Sequence, residues 1–302
     1  MTERIALFGE AKNLVGVVTQ PEAGAGPAGD LAFVLLNAGV IHRIGPNRLN
    51  VKLARRLAGA GLTVMRFDLS GIGDSRASQS TLSFGEQAVA DIRAAMDYLQ
   101  ANCGIKRFVL VGLCSGADNA YATSHDDRVY GLVLLDPYAY PTWKTSVRFQ
   151  LMRLRSPLWL ASYVRKRVWR MVAGRRDAGG AAPPGVASGA NAVSYVREKP
   201  RLADFAAGLR RVLDRGGAVT ATYSGSSLRV INDARELDRV LRPFGLGGRV
   251  SCRLWPETNH TFTELGAQAR LLDTIAAWAA ELSGRGGAGD SAGRHAASGS
   301  TT

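Results

Sequence analysis

Short apolar, β-rich runs alternate with amphipathic stretches along most of this chain, and that alternation leaves few folds open. "LAFVLLNAGV" (31–40), "LTVMRFDLS" (62–70), "RFVLVG" (107–112) and "VYGLVLLD" (129–136) have the length and composition of buried strands. Between the first two, "NRLNVKLARRLAGAG" sets Leu49, Val51, Leu53 and Leu57 at helical spacing and ends in glycines suited to a helix C-terminus. "GEQAVADIRAAMDYLQANCG" gathers Val89, Ile92, Ala95, Met96 and Leu99 on one face. Strands apolar on both faces and separated by helices predict an α/β fold, a mostly parallel sheet covered on both sides. "RIALF" (4–8) and "LVGVVTQ" (14–20) read as two strands ahead of it.

The rhythm breaks over 141–216, a stretch rich in Arg and Trp and interrupted by the Gly/Pro loop "AGGAAPPGVASGA". It resumes with "AVTATYSGSS", the helix "DARELDRVLRPFG", the strand "RVSCRLWP" and a last helix from about Glu264 to Leu282. The expected organisation is a core over 1–140 and 217–283, a helical Arg/Trp-rich cap over 141–216, and a disordered tail of small polar residues over 284–302.

The net charge is +13, and from Lys144 to Arg176 ten basic residues occur without one acid. Such a block is first a solvated lid face whose long side chains lie over Trp143, Trp159 and Trp169. As a docking surface it suits an acidic acyl carrier protein or an anionic membrane equally; nucleic acid ranks last, because no recognised module is present. Cys103, Cys114 and Cys252 are odd in number and irregular in spacing, which suggests free thiols in a reducing compartment and no zinc site. No run approaches the length of a membrane span, and the N-terminus lacks a signal layout, so a cytoplasmic protein, free or peripheral to the membrane, is expected. The glycines of "GIGDS" fit neither a P-loop nor a dinucleotide fingerprint, so no cofactor is expected.

The chemistry concentrates in "VLVGLCSGAD" (109–118). A strand that turns sharply into a helix lifts one side chain out of the bend and needs small residues two positions to either side of it. Gly112 and Gly116 are those neighbours if Cys114 is the apex; with Ser115 at the apex, Leu113 would be crowded. Cys114 is therefore the candidate nucleophile. A helix N-terminus and an adjacent imidazole both favour its thiolate.

The elbow and the order of elements resemble the α/β-hydrolase superfamily. "FDLSGIGDS" (67–75) is similar to a segment that follows the fourth strand there, "LLNAGV" stands where many members carry the oxyanion loop, and "NHTFTE" sets His260 after the last strand. "NAGVIHRIGPNR", "FDLSGIGDS", "GLCSG" and "NHTF" together resemble, more narrowly, the hydrolases associated with bacterial exosortase systems. The resemblance implies an α/β-hydrolase fold with an inserted helical cap. It also implies His260 as general base, and an oxyanion hole from the backbone N–H groups of Gly39 and Ser115. The reaction would be hydrolysis or acyl transfer on a small-molecule or carrier-bound ester or thioester. The rival reading is a non-catalytic accessory protein that holds a lipid, glycan precursor or carrier-bound acyl chain.

One part of the pattern is missing. The superfamily's usual acid follows the strand "AVTATYSG", but this chain reads "SGSSLRV", with Ser227 or Leu228 at that place. Asp136, at the end of "GLVLLDP", is the expected substitute; Asp233 and an acid-free dyad are the alternatives. His42 reads as a structural or substrate-lining residue beside the oxyanion loop, and Asp68 and Asp74 read as turn-fixing carboxylates.

Overall fold

The computed structural model describes residues 1–22, 29–154 and 198–295, apart from the side chains of 153, 154 and 285–295. Eight strands form one sheet: β1 (Thr2–Phe8), β2 (Leu14–Gln20), β3 (Leu31–Leu35), β4 (Thr63–Phe67), β5 (Arg107–Leu113), β6 (Val129–Leu135), β7 (Ala218–Ser224) and β8 (Val250–Trp255). Their spatial order is β1-β2-β4-β3-β5-β6-β7-β8. β2 pairs antiparallel with β1 and β4, and every other pairing is parallel.

The described α-helices are α1 (Leu49–Gly59), α2 (Phe84–Cys103), α3 (Ser115–Ala122), α4 (Trp143–Leu154), α5 (Leu202–Asp214), α6 (Arg235–Leu241) and α7 (Leu265–His295). Because both sheet faces are buried, there are two apolar cores. Leu49, Leu53 and Leu57 of α1 meet Leu271, Ile275 and Trp278 of α7 on one face. Ile92, Met96 and Leu99 of α2, Ala117 of α3, and Phe205 and Leu209 of α5 pack on the other. Each large apolar side chain so buried contributes roughly 1.5–3 kcal/mol.

Local signals set the helix ends. Ser83 and Glu86 form a reciprocal capping box at the start of α2, and Gly104 closes it with φ 69°. The strand and helix positions follow the sequence pattern closely, with two differences. α5 lies within 141–216 but turns Phe205, Leu209 and Val212 into the core, so it belongs to the helix layer. α4 also falls in the expected cap, and the cap's residues 155–197 lie outside the described residues. α7 does not stop near Leu282 but runs to His295, through part of the expected tail. No proline interrupts it, and each residue added to an existing helix gains a hydrogen bond without a new nucleation cost.

Candidate active site

β5 delivers Cys114 to the carboxyl edge of the sheet at φ 55° and ψ −117°, a conformation that L-residues avoid and that costs on the order of 1–3 kcal/mol. The surroundings enforce it. Cys114 N–H donates to Leu135 O at 2.9 Å, and Cys114 O accepts from Ala117 N–H at 2.9 Å as α3 begins. The two glycines are steric requirements: a Cβ on Gly112 would lie 2.1 Å from the Gly116 backbone, and one on Gly116 would lie 2.5 Å from Asn37 O. Cys114 therefore occupies the apex, and Ser115 is the first residue of α3, 4% exposed.

The structure brings three of the expected residues together. Asp136 ends β6 with φ 47°, and its carboxylate accepts from His260 Nδ1 at 2.6 Å. The same carboxylate accepts from Ser224 N–H (2.7 Å), Ser224 Oγ (2.7 Å) and Ser227 Oγ (2.8 Å). Burial opposes ionisation of Asp136, but the hydrogen bonds from His260, Ser224 and Ser227 outweigh it and hold its carboxyl below the usual range. His260 comes from the turn after β8, anchored by its own N–H on Ser226 Oγ at 3.0 Å. Its pKa is raised to about 10, chiefly by the Asp136 hydrogen bond and next by a hydrogen bond with Cys114, while burial works against the shift.

Asp233, the other acid weighed, is taken up elsewhere. It pairs with Arg148 at 2.7 Å and with Arg239, and these cations hold it ionised against the cost of its burial. The other two thiols are poor nucleophiles: burial raises Cys103 and pushes Cys252 up to about 12.

The loop expected to supply an oxyanion donor follows β3. Gly39 (φ 58°) donates its N–H to Ser115 Oγ at 2.7 Å. Ser115 opens α3, so its own N–H lies beyond the reach of the intrahelical ladder. Asn37 braces the loop from beneath: it is 1% exposed, donates to Ile41 O (2.7 Å) and Asp68 Oδ1 (3.2 Å), and accepts from Leu69 N–H (3.0 Å). Asp68 has the turn-fixing role the sequence suggests, fully buried and bonded to Arg43 N–H at 2.5 Å and Asp74 N–H at 3.2 Å. His42, Asp68 and Asp74 bring ligand atoms within 4.8 Å of one another, the only such metal-competent group among the described residues. The Arg43 guanidinium bridges both carboxylates, 2.8 Å from Asp74, and supplies the positive charge a metal ion would bring. No metal chemistry follows from that group.

The sequence sets Asn37 in the loop after β3 and Ser227 where the usual acid stands, but shows neither their bonds nor the parts played by Ser224 and Arg43. The signal for the serines is the hydroxyl-rich "SGSS" where a carboxylate was sought: three hydroxyls or amides can surround a buried carboxylate that stands one strand away.

A mostly parallel eight-stranded sheet, an elbow after its fifth strand in the chain, and a carboxylate and an imidazole meeting at the same edge define an α/β-hydrolase. The chain belongs to the family described as serine aminopeptidase, S33 (Hydrolase_4), whose profile matches residues 33–204. Its fold is similar to that of an esterase from Pyrococcus furiosus, at 16% identity over 93% of this chain and 91% of that one, with a TM-score of 0.56. A proline iminopeptidase from Mycobacterium smegmatis is similar at 16% identity over 93% and 99% of the two chains, with a TM-score of 0.52. A putative α/β hydrolase from Agrobacterium tumefaciens is similar at 14% identity over 92% and 94%, also with a TM-score of 0.52. No curated protein sequence matches the chain. The family description names serine, whereas the residue at this chain's elbow is Cys114.

Proposed function

We propose that the protein cleaves esters or thioesters through a covalent S-acyl intermediate on Cys114. The observation that carries this reading is the hydrogen-bonded line from Asp136 through His260 to Cys114 at a strained elbow. Because His260 keeps its proton up to about pH 10, the Cys114 proton already rests on it at neutral pH, and the thiolate attacks the carbonyl carbon. The carbonyl oxygen takes up the negative charge and is met by the N–H groups of Gly39 and Ser115. Collapse expels the alcohol or thiol, which leaves with the proton from His260. His260, neutral after that transfer, takes a proton from water as the water attacks the S-acyl carbonyl, releasing the carboxylic acid and restoring the Cys114 thiolate beside protonated His260. An acceptor alcohol or amine in place of water makes the same site an acyltransferase. Asp136 holds the ring in the tautomer that points its other nitrogen away from the carboxylate, and it stabilises the imidazolium.

The motifs "NAGVIHRIGPNR", "GLCSG" and "NHTF" support placing the protein among the exosortase-associated hydrolases, with a carrier-bound or small acyl group as substrate. The deciding experiment follows release of p-nitrophenol from a short-chain p-nitrophenyl ester and of coenzyme A from a short acyl-CoA, with mass mapping of the quenched enzyme. An acyl group on Cys114, lost together with turnover in Cys114→Ala, supports the proposal. Acylation of Ser115, or neither acylation nor turnover, overturns it; the second outcome leaves the accessory reading.

A further inference from the structure

Apart from Met1 and, on β1, Ile5 and Leu7, every large apolar side chain that stands exposed among the described residues lies in a segment leaving the carboxyl end of a strand. Val40 (85% exposed) follows β3, Val230 follows β7, and Leu265 (75%) follows β8. α4, which follows β6, contributes Trp143 (72%), Val147 and Leu151 at a spacing of four residues, one stripe along the helix. An apolar surface gathered at one end of a molecule marks an interaction face.

α4 is held with that stripe outward. Its inner side is fastened by polar bonds: Thr142 Oγ1 donates to buried Glu236 at 2.8 Å, Asn232 donates to Thr145 O at 2.8 Å, and Arg148 meets Asp233 at 2.7 Å. The stripe is bordered by positive charge. Lys144 Nζ lies 5.7 Å from the centre of the Trp143 ring, α4 contains no acidic residue, and the whole chain carries +13. A Trp-bearing apolar stripe edged by Lys144, on a helix without acidic residues, matches the boundary between acyl chains and anionic headgroups. An acidic carrier protein would satisfy the charge but leave the stripe and the apolar rim in water. None of the described helices is long and apolar enough to cross a bilayer, so the contact is peripheral.

We infer that the carboxyl edge of the sheet, led by the Trp143–Val147–Leu151 face of α4, docks on an anionic lipid bilayer. The inference does not depend on the cleavage chemistry, because the face is defined without Cys114 or His260. The test is co-sedimentation of the full chain with vesicles of phosphatidylcholine, alone or with roughly a third phosphatidylglycerol, at about 0.1 M salt. Binding to the anionic vesicles only, weakened about tenfold in Trp143→Ser/Val147→Ser, is the expected result. The double variant should keep its circular-dichroism spectrum and whatever hydrolysis of a water-soluble ester the parent shows. A chain that stays in the supernatant with anionic vesicles overturns the inference. So does a folded double variant that binds as the parent does, or capture by an acidic acyl carrier protein without vesicle binding.

Discussion

The backbone N–H of Gly39 donates to the Ser115 hydroxyl at 2.7 Å, tying the loop after β3 to the first residue of α3, the two proposed oxyanion donors. Ser115 thus serves the site through its position and its main chain, and the apex belongs to Cys114. Ser115→Ala removes one hydrogen bond worth about 1 kcal/mol and should leave turnover within roughly tenfold of the parent. Cys114→Ala should reduce it to background. Steady-state kinetics on a chromogenic ester checks both; inactivity of Ser115→Ala beside an active Cys114→Ala would reverse the assignment.

Asp136 is the charged partner of the His260 ring, so Asp136→Asn should lower kcat by about 10²–10⁴, within the range seen when a triad carboxylate is neutralised. Ser227→Ala, which leaves the carboxylate its bonds to Ser224 and His260, should cost far less. NMR titration of His260 separates a specific effect from unfolding: its pKa should fall in Asp136→Asn and stay raised in Ser227→Ala.

Thiol reactivity gives a test that needs no substrate. Cys103 and Cys252 are held protonated by burial, whereas Cys114 opens a helix beside an imidazole that keeps its proton until about pH 10. At pH 6, iodoacetamide should therefore alkylate Cys114 at least about tenfold faster than the other two, and His260→Ala should remove most of that advantage. Equal labelling of the three by peptide mass mapping would contradict the arrangement.

The raised pKa of His260 also has a sign for stability. A group whose folded pKa exceeds its unfolded value of 6.5 stabilises fully below that value, and the contribution is lost as pH rises towards about 10. The gap in urea midpoint between the parent and His260→Gln should thus be wide at pH 6 and close by pH 10. A gap independent of pH would show that folding does not raise the ring's pKa.

Two glycines in helices predict opposite outcomes. A Cβ on Gly85 meets nothing within 4 Å, so Gly85→Ala should stabilise by about 0.5–1 kcal/mol through helix propensity. A Cβ on Gly116 meets Asn37 O at 2.5 Å, so Gly116→Ala must push the oxyanion loop away, at roughly 1–3 kcal/mol and with a fall in kcat. Thermal melts and kinetics on the two variants test the close approach directly.

Much of this was legible in the sequence. Short apolar, β-rich runs announce β3, β5 and β6, and Gly112 and Gly116 fix the apex because no side chain fits at either place. Asp136 could be placed at a strand end by pattern alone. Its meeting with His260 could not, because it depends on β6, β7 and β8 lying side by side and on the turn after β8 folding back. The hydroxyls that surround the carboxylate were hidden for the same reason: serine has no periodic signature, and only the pairing of β6 with β7 brings Ser224 beside Asp136. The end of α7 was misjudged because glycine lowers helix propensity without forbidding a helix to continue.

With its carboxylate at the end of β6, the protein keeps thiol and acid inside a single strand–helix–strand unit, locked by main-chain bonds from Cys114 to Leu135 and from Asp136 to Thr222. Whatever is spliced between α4 and α5, by insertion, deletion or exchange, enters behind that pair and never between its members. The reactive half of the edge and the segment laid after it are thus separately editable, in evolution and at the bench.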